Sequence, residues 1–212
     1  METNRAAENL QVIRTLMERS ALYRRALGPI MTFCGVIGIA AGIAGWQAKI
    51  SSDRGFVIFW IVVAFTALLG SLLLVRRQAI KDAEPFWSAP TRRVAHALLP
   101  PFAIGMFVGM VFGFGIQNRD GDPELQMILV MVWTWFYGCA LHSAGFSISR
   151  GIRILGWIFA LIGCGLLFNK VCIEQFKSRD FAPHLLMGGI FGGLHLAAGI
   201  YLYFTEQRKN EA

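Results

Sequence analysis

The chain has 212 residues, of which 55% are hydrophobic and 16% charged, and it carries a net charge of +7. Soluble domains hold roughly 45–50% apolar residues even when Gly is counted, and six apolar runs of about 20 residues, the length that crosses a bilayer, leave no room here for a second soluble domain of ordinary size. The cations lie beside those runs, so orientation and anionic lipid account for the charge and nucleic acid is not needed as a partner.

Residues 4–27 read as an amphipathic helix. On a 100° wheel Leu10, Val12, Ile13, Leu16, Met17, Ala21, Tyr23 and Leu27 share one half, with Arg14, Glu18 and Arg25 opposite. Arg24 falls on the apolar half, where its long stem can reach lipid head groups. Segment 1–28 is therefore expected to lie at the cytoplasmic interface, as an anchor or as a docking helix for a partner. It lacks the short apolar core and cleavage site of a secretory signal, so the first span should stay as an anchor.

The predicted spans are 29–48, 55–75, 95–117, 125–147, 152–169 and 185–204, together a transmembrane domain over 29–206 with a tail at 207–212. The fifth is the shortest, because Arg153 stands at its start. Fourteen Lys and Arg residues fall on the side of the N-terminal segment, the second loop, the fourth loop and the tail, against six on the other side. The positive-inside rule then puts both termini in the cytoplasm, in agreement with an even number of spans. The expected fold is an all-α, six-helix transmembrane bundle.

The second loop, 76–94, carries Arg76, Arg77, Arg92 and Arg93 around Pro85, Phe86, Trp87 and Pro90. The prolines bar a continuous helix, and the aromatic pair favours the membrane interface. Together with Arg24 and Arg25 these residues form the candidate face for lipid or a cytoplasmic protein. Pro100 and Pro101 are expected to kink the third span or to mark its first turn. The run 118–124 is a turn whose Asp120, Asp122 and Glu124 are too few and too close for an EF-hand loop.

Small residues recur at spacing four: Gly38 and Gly42, then Gly105, Gly109 and Gly113, then Gly188 with Gly192 and Gly189 with Gly193. Such ridges let helix backbones approach closely within a bundle, or join two copies when they face outward. Cys34, Cys139 and Cys164 fall within spans and Cys172 in a loop, which offers no disulfide framework or zinc site.

Two histidines, His142 and His195, each follow a Leu and have small residues three or four positions away. Those neighbours share the His face, so each imidazole should meet another helix. At about 1.5 Å per residue the two differ in height by roughly 6 Å. They can be structural, sense pH, or hold a haem between them, with His96 as a third member. His184, at the outer edge of the last span, is expected to be solvated. No carboxylate stands inside a span and no hydrolase or phosphate-binding motif occurs, so an enzyme or a coupled transporter is not indicated. No metal is expected, and haem is the one cofactor considered.

The stretches Glu-Asn-Leu-Gln-Val-Ile-Arg-Thr-Leu-Met-Glu-Arg (8–19), Glu-Pro-Phe-Trp-Ser-Ala-Pro-Thr-Arg-Arg (84–93) and Phe-Gly-Gly-Leu-His-Leu-Ala-Ala-Gly-Ile-Tyr-Leu-Tyr-Phe (191–204) resemble a group of small uncharacterised bacterial six-helix membrane proteins. The resemblance implies a bacterial inner membrane and no activity. The functional expectation is a non-enzymatic membrane scaffold, sensor or regulator that presents its basic cytoplasmic face to a partner. The rivals are a haem-binding redox protein using His142 and His195, and an uncoupled pore for a small solute.

Overall fold

The computed structural model describes residues 26–83, 85–87, 89–115, 121–172 and 182–210. Nearly all of the expected amphipathic helix, with Arg24 and Arg25, lies outside the described residues, as does the acidic turn up to Asp120.

Six helices overlie the six predicted spans, and each is long and apolar enough to cross a membrane. They are α1 (Ala26–Gln47), α2 (Asp53–Lys81), α3 (Ala89–Met110), α4 (Pro123–Ile148), α5 (Arg150–Cys172) and α6. Helix α6 runs without interruption through Pro183–Met187, a π-helical turn at Gly188–Gly192, and Gly193–Asn210. A second π-helical turn, Val111–Gly115, extends α3. No strand occurs among the described residues. Cys172, expected in a loop, is the last residue of α5.

Local chemistry sets the helix ends. Ser52 caps α2, its Oγ accepting from the Gly55 N–H at 3.2 Å. Asp122 caps α4, its Oδ1 accepting from the Glu124 N–H at 2.9 Å, and Pro123 follows in the first turn. Gly121 before them has φ +76°, and a β-carbon there would collide with the Ser51 carbonyl, so only glycine fits this turn. At the other end of α2 the chain turns through Asp82 and Ala83, the latter at φ +52°. Pro90 sits in the first turn of α3. Pro100 and Pro101 therefore lie in the interior of that helix, not at its start. Lacking N–H groups, they leave the His96 and Ala97 carbonyls without their usual i+4 helical donors.

Large apolar side chains stand exposed on the outer surface of the helices. Leu73, Phe107, Phe146 and Leu161 are each more than 60% exposed on four different helices. The described helices thus suggest an integral membrane protein.

Inside, helix pairs approach at glycine. A β-carbon on Gly38 of α1 would stand 2.8 Å from Gly192 Cα of α6, and one on Gly42 would stand 2.8 Å from Gly188 Cα. Helices α4 and α5 meet in the same way at Gly138, Gly156 and Gly163. On α3, Gly109 lies beneath the Trp133 ring and Gly113 against Val57, whereas Gly105 leaves room for a β-carbon at ordinary contact distance. Gly189 and Gly193 face open space. One apolar cluster gathers Phe56, Val57, Trp60, Leu129, Val130 and Met187 toward the Asp53 end of the bundle. Another gathers Leu27, Met31, Leu141, Ile152, Leu155 and Phe159 toward the opposite, arginine-rich end.

Candidate functional site

The arginine-rich end is folded around a small apolar corner. Phe86 packs with Ala26 and Val75, and its carbonyl accepts from the Thr91 hydroxyl at 2.8 Å. Gln78 donates to Asp82 Oδ2 at 3.1 Å across the end of α2. From this corner Trp87 projects, 61% exposed, and Arg76, Arg77, Arg92 and Arg93 are all exposed. The sequence pairs Phe86 with Trp87 as interface aromatics; in the structure their ring centroids are 6.4 Å apart, Phe86 half-buried in the corner and Trp87 exposed.

At mid-height, His195 is 4% exposed. Its Nδ1 lies 2.6 Å from the Phe191 carbonyl oxygen, and its Nε2 lies 2.6 Å from the Tyr137 hydroxyl. A carbonyl only accepts, so Nδ1 carries the hydrogen. In the neutral ring Nε2 is then the acceptor and Tyr137 donates. The Tyr137 and Phe159 rings flank the imidazole at 5.3 and 5.4 Å between centroids, and the Phe191 ring packs against both of them at 5.2 and 5.4 Å.

His142 sits elsewhere. It is partly exposed, edge-on to Phe146 and Trp157 with centroids 5.2 Å away, and its Nδ1 is a long 3.5 Å from the Arg153 carbonyl of α5. None of its ring or hydrogen-bond neighbours is shared with His195. His96 is exposed on α3. The two histidines therefore do not offer a haem two free ring nitrogens, because both nitrogens of His195 are already engaged.

Beside the Tyr137–His195 pair, α2, α3, α4 and α6 leave a half-enclosed cleft with about 100 Å³ of room inside it. Trp60, Phe102, Trp133, Tyr137 and Phe191 form its aromatic walls, and Met106 and Met187 complete them. Trp133 donates its indole N–H to the Gly105 carbonyl at 2.8 Å, which ties α4 to α3 at the cleft wall.

The end of the bundle near Asp53 holds three further buried polar residues, His184, Asp53 and Gln126. His184, expected to be solvated, is 4% exposed. Its Nδ1 accepts from Trp60 Nε1–H at 3.1 Å, and its Nε2–H donates to the Ile50 carbonyl at 3.0 Å. Phe56 and Phe59 flank the ring at 4.8 and 5.3 Å, and Gly45 lies so close that a β-carbon there would strike it. The correction has a simple cause. Pro183 starts α6 early enough to carry His184 inside the bundle, beneath the α1–α2 turn.

Asp53 is likewise 4% exposed. Its Oδ1 accepts from the Asp122 N–H and from Gln126 Nε2, both at 2.9 Å, while Oδ2 has no hydrogen-bond partner. The same Gln126 amide donates to the Ser51 carbonyl at 2.6 Å.

Sequence reasoning singled out His195 but missed Tyr137, Trp60, Gln126 and the burial of Asp53 and His184. An aromatic residue in an apolar run carries no local sign of its partner. The available signal was Gln126, an amide in the first turn of a span that needs a partner when buried. No group of three or more metal-ligating side chains occurs among the described residues. No protein-family model, curated protein or solved structure matches the chain.

Proposed function

We propose that the chain is a non-enzymatic membrane scaffold or regulator, with both termini in the cytoplasm and its arginine-rich end turned toward a cytoplasmic protein. The observation that carries this reading is the folded corner at 82–94. It holds Phe86 half-buried against Ala26 and Val75 and leaves Trp87 exposed, as are Arg92 and Arg93 within it and Arg76 and Arg77 beside it, a combination enriched where proteins bind one another. The excess of Lys and Arg on that side supports the orientation. A bacterial inner membrane is the setting that the sequence resemblance implies. In the same reading the glycine ridges of α1 and α6 serve packing within one bundle, since their closest neighbours are each other's backbones.

The test uses the full chain, crosslinked in cells and captured for mass spectrometry. Replacing Arg76, Arg77, Arg92 and Arg93 by Lys keeps the charge and hence the orientation, but removes the planar guanidinium forks. Combined with Trp87→Ala, it should lower recovery of a protein partner several-fold. Unchanged recovery would mean that this face serves only lipid head groups. Orientation is read separately, with single cysteines at Glu124 and Ala212 in a cysteine-free background. An impermeant maleimide should label position 124 and spare position 212 in intact cells.

A further inference from the structure

We propose that the cleft between α2, α3, α4 and α6 is a binding site for the acyl chain of a bilayer phospholipid. Three features lead there. The first is position: Tyr137 and Phe102 stand near the middle of their helices, so the cleft lies deep within the apolar belt. The second is chemistry. The donors on its walls are already engaged, Trp60 Nε1–H by His184, Trp133 Nε1–H by the Gly105 carbonyl, and the Tyr137 hydroxyl by His195. A ligand that needs donors, such as a quinone ring or a phosphate, finds none free, while a hydrocarbon chain needs none. The third is space. The cleft is half-enclosed with about 100 Å³ of room inside it, enough for part of a flexible chain lying in from the open side and too little for a bulky ring or head group. Its walls are apolar, and left empty they forfeit dispersion contacts.

The walls are built to hold this shape. Trp60 and Trp133 are pinned by their hydrogen bonds, and Tyr137 is braced by His195 from behind. The π-helical turn at Gly188–Gly192 brings Phe191 to the edge of the cleft. Met106 and Met187 supply adaptable surface for a flexible chain. Tyr137 and His195 are positioning residues here, not ligands.

The full chain is reconstituted in phosphatidylcholine nanodiscs in which a fraction of the lipid carries a diazirine on its acyl chain, then irradiated and mapped by peptide mass spectrometry. Adducts should be several-fold richer on Ile61, Ala64 and Met106 than on the outward residues Val62 and Leu69. Ala64 is exposed at the mouth of the cleft, so Ala64→Phe should fold normally and lower the cleft adducts several-fold. Met106→Trp, filling the cleft from α3, should do the same. Ala103→Phe, exposed on α3 away from the cleft, should change nothing. Adducts on the cleft no richer than on Val62 and Leu69, or indifferent to both filling variants, would overturn the proposal. So would a diazirine polyprenyl lipid that labels the cleft and displaces the acyl probe, which would assign the site to a prenyl chain. None of these readouts depends on the cytoplasmic partner.

Discussion

Trp60 and His184, 124 residues apart in sequence, are joined by a single hydrogen bond of 3.1 Å from the indole Nε1–H to the imidazole Nδ1. An indole nitrogen can only donate and the Ile50 carbonyl on the other side of the ring can only accept, so the tautomer is fixed with its hydrogen on Nε2. This pins α2, the α1–α2 turn and the start of α6 to one another.

Breaking that bond on one side should therefore be costly. Trp60→Phe keeps most of the ring packing but leaves His184 Nδ1 as a buried acceptor, which costs about 1–3 kcal/mol. His184→Ala strips the partners from both Trp60 and Ile50 and opens a cavity under Gly45, so the loss should be larger. Thermal unfolding in detergent reads both. In the double variant the losses should fall short of additive by about 1 kcal/mol, as for contacting residues. Additive losses would mean that the bond contributes nothing beyond packing.

The same pair shows where the sequence stops being legible. The six helices can be read from apolar run length, because a span must satisfy its backbone internally wherever it stands. Which residue faces which cannot be read, because rotation about a helix axis is set by partners as distant in sequence as Trp60 and His184, 124 residues apart. By sequence His184 reads as solvated because it falls one residue before the span 185–204, and only the packing of Ile50 and Trp60 around it changes that. His142 and His195 looked alike by their flanking small residues. The His142 backbone packs on Gly156 of α5 with the residue partly exposed, while His195 turns inward to Tyr137.

Glycine substitutions should separate tight contacts from open ones. At Gly38 a new β-carbon meets the backbone of Gly192, which cannot yield as a side chain would. Gly38→Ala should force α1 and α6 apart and cost about 1–3 kcal/mol, the usual penalty of overpacking. Gly189 and Gly193 have nothing within 4 Å of a β-carbon. There, alanine should be neutral or should stabilise by up to about 1 kcal/mol through helix propensity. Melting temperatures in one detergent test the contrast, and equal effects at Gly38 and Gly189 would contradict the close α1–α6 approach.

Asp53 presents a different balance. Its Oδ1 takes two hydrogen bonds, and its buried Oδ2 takes none. Asp53→Asn can keep the Oδ1 contacts while removing the charge of an uncompensated carboxylate, so it should be neutral or stabilising. Asp53→Ala leaves the Asp122 N–H and one contact of Gln126 unmet and should cost about 1–3 kcal/mol. If the Asn variant proves the worse of the two, the negative charge itself is required at that end of the bundle.

The Tyr137–His195 pair bears on the haem reading. For iron to bind His195, one of its two 2.6 Å hydrogen bonds must break, and the ring is flanked by Tyr137 and Phe159. His142 belongs to a separate ring cluster with Phe146 and Trp157. Protein purified from cells supplied with haem precursors is therefore expected to show no Soret band. Tyr137→Phe should instead act on stability, because it leaves His195 Nε2 as a buried acceptor. The loss should be about 0.6–2 kcal/mol, the scale of hydrogen bonds between helices in membranes. A Soret band that vanishes in both His142→Ala and His195→Ala would require α4 and α6 to turn until the two rings face one another, and would replace the packing of His195 against Tyr137 with an iron site.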